Sequence, residues 1–194
     1  MIKLGITGGI GSGKSVVATI FQLHGIPVYT ADEESKKLTD TSPIIKEKLQ
    51  KLCGSNIYKD SKLDKKQLAS IIFNNADMLR EVNGIIHPEV SKSFLDWADR
   101  QTNMICAIES AILFESGFDK IVDYTLTVYA PLDIRLERIQ KRDNVSLEAI
   151  SKRIDNQLSD EIKKERADYI IINDNKTPLI AQASDIITSL DNIT

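Results

Sequence analysis

Thr7-Gly8-Gly9-Ile10-Gly11-Ser12-Gly13-Lys14-Ser15 follows directly on the apolar run Ile2 to Ile6 and contains four of the chain's nine glycines. Gly8 to Ser15 matches G-x-x-x-x-G-K-[ST] in full, between a strand-length apolar run and a segment of helical period that begins at Lys14. A strand-to-helix turn of this kind restricts the fold more than any other feature of the chain. It belongs to α/β sheets, whose ligands sit beyond the carboxyl ends of the strands. Binding a polyphosphate requires several backbone N–H groups aimed at its oxygens. Glycine supplies both the turns with φ > 0 and the close approach that a Cβ would block. The backbone of Gly8, Gly9, Gly11, Ser12 and Gly13 is therefore read as a phosphate cradle, with Lys14 reaching the β and γ phosphates and the Ser15 hydroxyl placed to ligate Mg²⁺.

The rest of the chain agrees with an α/β sheet. Ile2 to Ile6, Ile26 to Tyr29, Met104 to Ile108, Tyr124 to Tyr129 and Tyr169 to Ile172 have strand length and are rich in Ile, Val and Tyr. Helical segments follow most of them: Lys14 to Leu23, Pro131 to Arg142, Ser146 to Leu158 with Ser146 as N-cap, and Pro178 to Leu190. This alternation predicts five parallel strands covered by helices on both faces. Glu33 to Arg100 breaks the rhythm with amphipathic segments such as Ser42 to Leu52 and Lys65 to Phe73 and no strands between them, so a helical insertion is expected there.

A net charge of −3, from 25 basic and 28 acidic side chains spread along the chain, offers no footprint for wrapping nucleic acid. Small ligands fit better. Cys53 and Cys106 each lie in or beside apolar segments and read as buried free thiols of a reducing compartment. No run approaches the roughly 18 apolar residues of a membrane span, and the N-terminus carries no signal-peptide pattern. A cytoplasmic protein without a membrane partner is the expectation.

Three further groups of residues bear on chemistry. The strand ending at Ile108 delivers Glu109 to the ligand side of the sheet, where a carboxylate can help hold Mg²⁺ or stand solvated. The second strand leads through Thr30 and Ala31 to Asp32, and spacing alone leaves two roles for it. One is to orient an acceptor hydroxyl and take its proton, the other to cap a helix starting at Glu33. Arg135, Arg138 and Arg142 share one helix face at i, i+3 and i+7, with Lys141 nearby. That face reads either as solvated or as a lid that clamps phosphate oxygens. Asn175-Lys176-Thr177-Pro178 begins like a guanine-reading N-K-x-D sequence but has Pro178 in place of the aspartate.

Taken in order, Thr7 to Ser15, Ala31-Asp32, His87-Pro88, Ile112-Leu113-Phe114-Glu115, Arg138 with Arg142-Asp143, Arg153 with Gln157, and Ala167-Asp168 followed by Asn173 resemble the dephospho-CoA kinase family over nearly the whole chain. The resemblance implies transfer of the ATP γ-phosphoryl group to the 3′-hydroxyl of dephospho-CoA by a P-loop nucleotide-kinase fold with a helical CoA-binding region and a mobile lid. It places the ATP loop on Gly11 to Val16, the acceptor-side aspartate on Asp32, the lid arginine on Arg142, Asn173 near the adenine, and His87 in the acceptor-binding region. One domain is expected, with a core at about 1–32, 101–134 and 167–194, the insertion at about 33–100 and the lid at about 135–166. The chain departs from the family pattern at Val16, Thr30, Ala111 and Arg135, where Thr, Asp, Pro and Gln are common.

Overall fold

A strand covered on both faces has to be apolar along its length rather than alternating. β1 (Ile2–Thr7) is such a strand, with Leu4 and Ile6 fully buried. The glycine loop then leads into α1 (Lys14–Leu23), which turns Val17, Ala18, Ile20 and Phe21 inward, and the chain returns through β2 (Val28–Thr30). β2 is shorter than the run from Ile26 predicts. Pro27 has no N–H to give to a ladder, and only its carbonyl takes part, accepting the Ala107 N–H at 2.9 Å.

The computed structural model describes residues 1–73, 75–143, 150–151 and 154–193. They fall into two units, Met1–Thr30 with Ala98–Thr194, and Ala31–Trp97. The second unit contains α2 (Ala31–Thr41), α3 (Pro43–Cys53), β3 (Tyr58–Lys59), β4 (Lys62–Leu63), α4 (Lys65–Ile72) and α5 (Ala76–Ala98), whose last residue belongs to the first unit. Ser42 caps α3 by accepting the Ile45 N–H, and Asp64 caps α4 by accepting that of Gln67. The β3–β4 hairpin corrects the expectation of an insertion without strands. Its turn uses Asp60 and Ser61 at positive φ, and Asp40 and Thr39 of α2 hold it, accepting from the Leu63 N–H (2.9 Å) and the Tyr58 hydroxyl (2.8 Å). Ile45, Leu49, Ile57, Val82, Val90 and Phe94 form the apolar interior of this unit.

The first unit resumes with β5 (Ile105–Glu109) and β6 (Tyr124–Tyr129), then α6 (Leu132–Asp143), α7 (Asp160–Arg166), β7 (Tyr169–Ile172) and α8 (Leu179–Asp191). Ser146 and Arg153 lie outside the described residues, as does much of the helix expected over Ser146 to Leu158. All five long strands run parallel in the order β2-β5-β1-β6-β7. α1 and α8 cover one face with the main apolar core, which includes Phe21, Leu126, Val128, Ile171 and Leu190. Leu113 and Val122 pack over Gly5, which has no room for a Cβ.

This topology fixes where a ligand can bind. β1 and β5 are neighbours, yet the chain leaves β1 toward β2 and leaves β5 toward β6, so their outgoing connections diverge and open a crevice at their carboxyl ends. The glycine loop and Glu109 stand at that crevice.

Candidate active site

Gly11 (φ 83°) and Gly13 (φ 92°) take up the left-handed turns that side chains avoid, and Gly13 caps α1 in that conformation. The turn aims the free N–H groups of the first turn of α1 at the crevice, where Lys14 and Ser15 begin the helix. A cleft of about 190 Å³ opens there, lined by Gly11, Gly13, Lys14, Ser15, Val16, Arg138, Ile139 and Arg142. Val16 faces it as an exposed apolar side chain.

Glu109 is 5% exposed, so it is no solvated strand end. Its Oε1 lies 3.5 Å from Lys14 Nζ and accepts from the Ser15 hydroxyl at 3.5 Å. Oxygen ligands of this kind, a hydroxyl beside a buried carboxylate, match the hard-donor preference of Mg²⁺, which takes its remaining ligands from phosphate and water. Among the described residues no cluster of three His, Cys, Asp or Glu side chains offers a metal a cage of its own.

The arginine stripe divides along its length. Arg135 is buried, with its Nε donating to the Ile10 carbonyl at 2.9 Å and its guanidinium paired with Asp160. Arg138 is half-buried, donating to the Gly11 and Ser12 carbonyls at 3.4 Å and to the Asn173 side chain at 3.0 Å. Arg142 is exposed at the cleft wall and paired with Asp143, while Lys141 pairs with Glu137 in solvent. The basic face is thus neither solvated throughout nor uniformly aimed at phosphate, because two arginines hold the loop's own backbone. Asn173 joins them, its Nδ2 donating to the Ser12 carbonyl at 2.7 Å from a buried position at the end of β7.

Asp32 and His87 belong to the second unit. α2 starts at Ala31, so Asp32 is in its first turn rather than at its cap, exposed and two residues beyond Thr30, the register partner of Glu109. This corrects the expectation of a helix starting at Glu33. His87 is not at a helix start either, since α5 runs through His87 and Pro88 without a break. Burial alone pushes its imidazole below the ordinary value of 6.5. The folded chain therefore binds fewer protons than the unfolded one just below pH 6.5, and stability falls as the pH drops through that window. His87→Gln is expected to shrink the difference in denaturation midpoint between pH 7.5 and pH 5; an unchanged difference would assign the acid sensitivity elsewhere.

Sequence reasoning missed Lys163. It is fully buried on α7, with Nζ donating to the Ala111 carbonyl at 2.6 Å and lying 3.0 Å from Glu115, which also accepts the Leu158 N–H. Desolvation lowers its pKa against the pull of Glu115. Its setting in Lys163-Lys164-Glu165-Arg166 looks like a solvated helix surface, and only the Ile112 to Glu115 element hinted at a partner. Asp160 gave no signal.

A sequence model of the dephospho-CoA kinase family matches residues 2–178. The chain belongs to the dephospho-CoA kinase family. It is 49% identical over 190 residues to the dephospho-CoA kinase of Bacteroides fragilis, covering 97% of this chain and 93% of that one. Its fold is similar to a Thermus thermophilus protein of known structure (TM-score 0.86, 29% identity, 97% and 96% of the two chains). It is also similar to the Campylobacter jejuni dephospho-CoA kinase (TM-score 0.70, 27% identity, 98% and 97%). Dephospho-CoA kinases carry out the final, ATP-dependent step of CoA biosynthesis. Among the described residues, no helix of this dephospho-CoA kinase family member is long and apolar enough to cross a membrane.

Proposed function

We propose that this chain transfers the γ-phosphoryl group of ATP to the 3′-hydroxyl of dephospho-CoA, releasing CoA and ADP, as a cytoplasmic enzyme acting on small molecules. The observation that carries this reading is the cleft at the start of α1, where loop glycines, Lys14, Ser15 and a buried Glu109 meet in a chain of this family. The acceptor oxygen attacks the γ-phosphorus as the bond to the β–γ bridging oxygen breaks, with little covalent work for the protein to do. Loop N–H groups and Lys14 hold the phosphates, and the phosphates compete with Glu109 for the Lys14 ammonium. Ser15 and Glu109 would hold Mg²⁺, which supplies charge neutralisation at the phosphates. Arg142, the stripe arginine exposed at the cleft, serves the transferring group, while Arg138 and Asn173 keep the loop in place beside the nucleotide.

Asp32 accepts the acceptor's proton late in the transfer, and the helical unit with His87 receives dephospho-CoA. The segment at about 135–166 serves as the lid. Its described ends are anchored, one by Arg135 and Arg138 on the loop and the other by Lys163 of α7 on the Ala111 carbonyl.

ADP release measured with a coupled assay is expected to depend on both dephospho-CoA and Mg²⁺, rising about 10²-fold or more over the rate with water alone, because water is not held in line. Equal release without acceptor would point to an ATP-holding regulator. Release driven instead by a nucleoside or nucleoside monophosphate would point to another small-molecule kinase of the same architecture.

A further inference from the structure

The motif G-x-x-x-x-G-K-[ST] requires Gly8 and Gly13; Gly9 and Gly11 are glycines beyond its needs. Gly11 has a left-handed backbone, but Gly9 does not. A Cβ on Gly9 would instead fall 2.6 Å from an Arg135 guanidinium nitrogen and 2.7 Å from its Cζ, and would also strike Asp160. A Cβ on Gly11 would fall 2.8 Å from the Arg135 carbonyl oxygen. These two glycines thus leave room for α6 and the start of α7 to lie against the loop.

What fills that room is a closed set of hydrogen bonds. The Gly9 N–H donates to Asp160 Oδ1 at 3.0 Å, and the Ile10 N–H donates to Gln157 Oε1 at 3.1 Å. Arg135 Nε donates to the Ile10 carbonyl at 2.9 Å while its guanidinium is paired with the same Asp160. Both charged side chains are largely out of water, 4% and 14% exposed. Burying two charges here is tolerable only because each finds its partner. The peptide groups on either side of Ile10 are therefore held from outside, and Gly11, Gly13 and Lys14 beyond them line the cleft.

We propose that Arg135 and Asp160 act together as a positioning pair that holds the phosphate loop in its binding shape before nucleotide arrives. Arg135, a departure from the family pattern, and Asp160 are one device rather than two unrelated residues. The pair touches no reacting atom. Its effect is to remove the ordering cost that a loose glycine loop would charge against nucleotide affinity.

The test rests on the loop's nucleotide role alone, so ATP binding is measured by calorimetry with Mg²⁺ and without acceptor, and failure of the acceptor assignment would leave it intact. Asp160→Ala is expected to weaken ATP binding about tenfold, through loss of a charge-assisted hydrogen bond. In turnover assays it should raise the KM for ATP by a similar factor, with kcat changed less than about threefold. Asp160→Asn, which keeps an oxygen for the Gly9 N–H, should lie between wild type and Asp160→Ala. Gly9→Ala, which displaces the pair, should weaken ATP binding in the wild-type background and add little to Asp160→Ala, a non-additivity that independent structural damage does not produce. Unchanged ATP affinity in a folded Asp160→Ala chain would overturn the proposal. So would a Gly9→Ala penalty of the same size with and without Asp160.

Discussion

Asp32→Asn is expected to lower kcat roughly 10²- to 10⁴-fold while ATP affinity stays near that of the wild type, the range that a lost general base produces. The side chain is exposed and sits in the first turn of α2 beside Glu33 and Glu34. Its structural contribution is then limited to the favourable placement of one negative charge near a helix N-terminus, about 0.3–1 kcal/mol, and two other acids remain to supply it. Asparagine keeps the size and removes the charge, so the substitution separates the two roles better than alanine would. A ribose hydroxyl is far too weak an acid to ionise beforehand. Its proton leaves as the bond to phosphorus forms, and an amide cannot accept it. Steady-state phosphorylation of dephospho-CoA, ATP binding and a thermal melt of the same variant decide the matter. An unchanged kcat would leave Asp32 with only its first-turn charge to contribute.

Lys163→Ala is expected to cost about 3 kcal/mol of stability, which in a chain of this size lowers Tm by roughly 6–12 °C. Breaking a buried ion pair typically costs about 3–5 kcal/mol, and the lower end applies because the Glu115 side chain is 20% exposed and can recover some hydration. The Ala111 carbonyl also loses its donor, and the space left by the lysine stem adds a cavity. Lys163→Met fills that space but strands the same Glu115 carboxylate and Ala111 carbonyl, so it should recover only the cavity part of the loss, about 1 kcal/mol. Denaturant midpoints at constant slope measure both. A Lys163→Ala chain melting with the wild type would show that the pair's attraction only balances its desolvation.

How much of this could be read from residues depends on how far apart the partners stand in the chain. The glycine loop is local chemistry at fixed spacing, and the strands are apolar runs bounded by turns, so the sheet, its helices and Lys14 with Ser15 were legible. Glu109 was legible as a strand end, but its burial was not, since that depends on β1 and β2 lying on either side of β5. The β3–β4 hairpin escaped because two-residue strands are too short to show a period and its turn uses Asp60 and Ser61 instead of glycine. Pro88 suggested a helix boundary, yet α5 forgoes one hydrogen bond and continues. The stripe of arginines gave a helix face without saying that its first member would meet Asp160, whose place in the polar run Ser159 to Arg166 carries no mark of burial.

β1 lies in the middle of the sheet but is the first strand in the chain, and its neighbours come much later, Ile2 facing Ile105 of β5 and Leu4 facing Tyr124 of β6. About a hundred residues therefore have to be synthesised before the central strand finds either partner. Pairing at such separation is slow, because the chain between must be closed into a loop first. During that interval the helices from Ala31 to Trp97 have their contacts close at hand and can assemble, while β1 and the apolar face of α1 wait uncovered. Nucleotide offers no help at this stage, since the loop it would grip is not yet backed by β6, Arg135 or Asp160. For this chain, exposure to aggregation and to chaperones is greatest early in synthesis, and it ends when the third and fourth long strands close over the first.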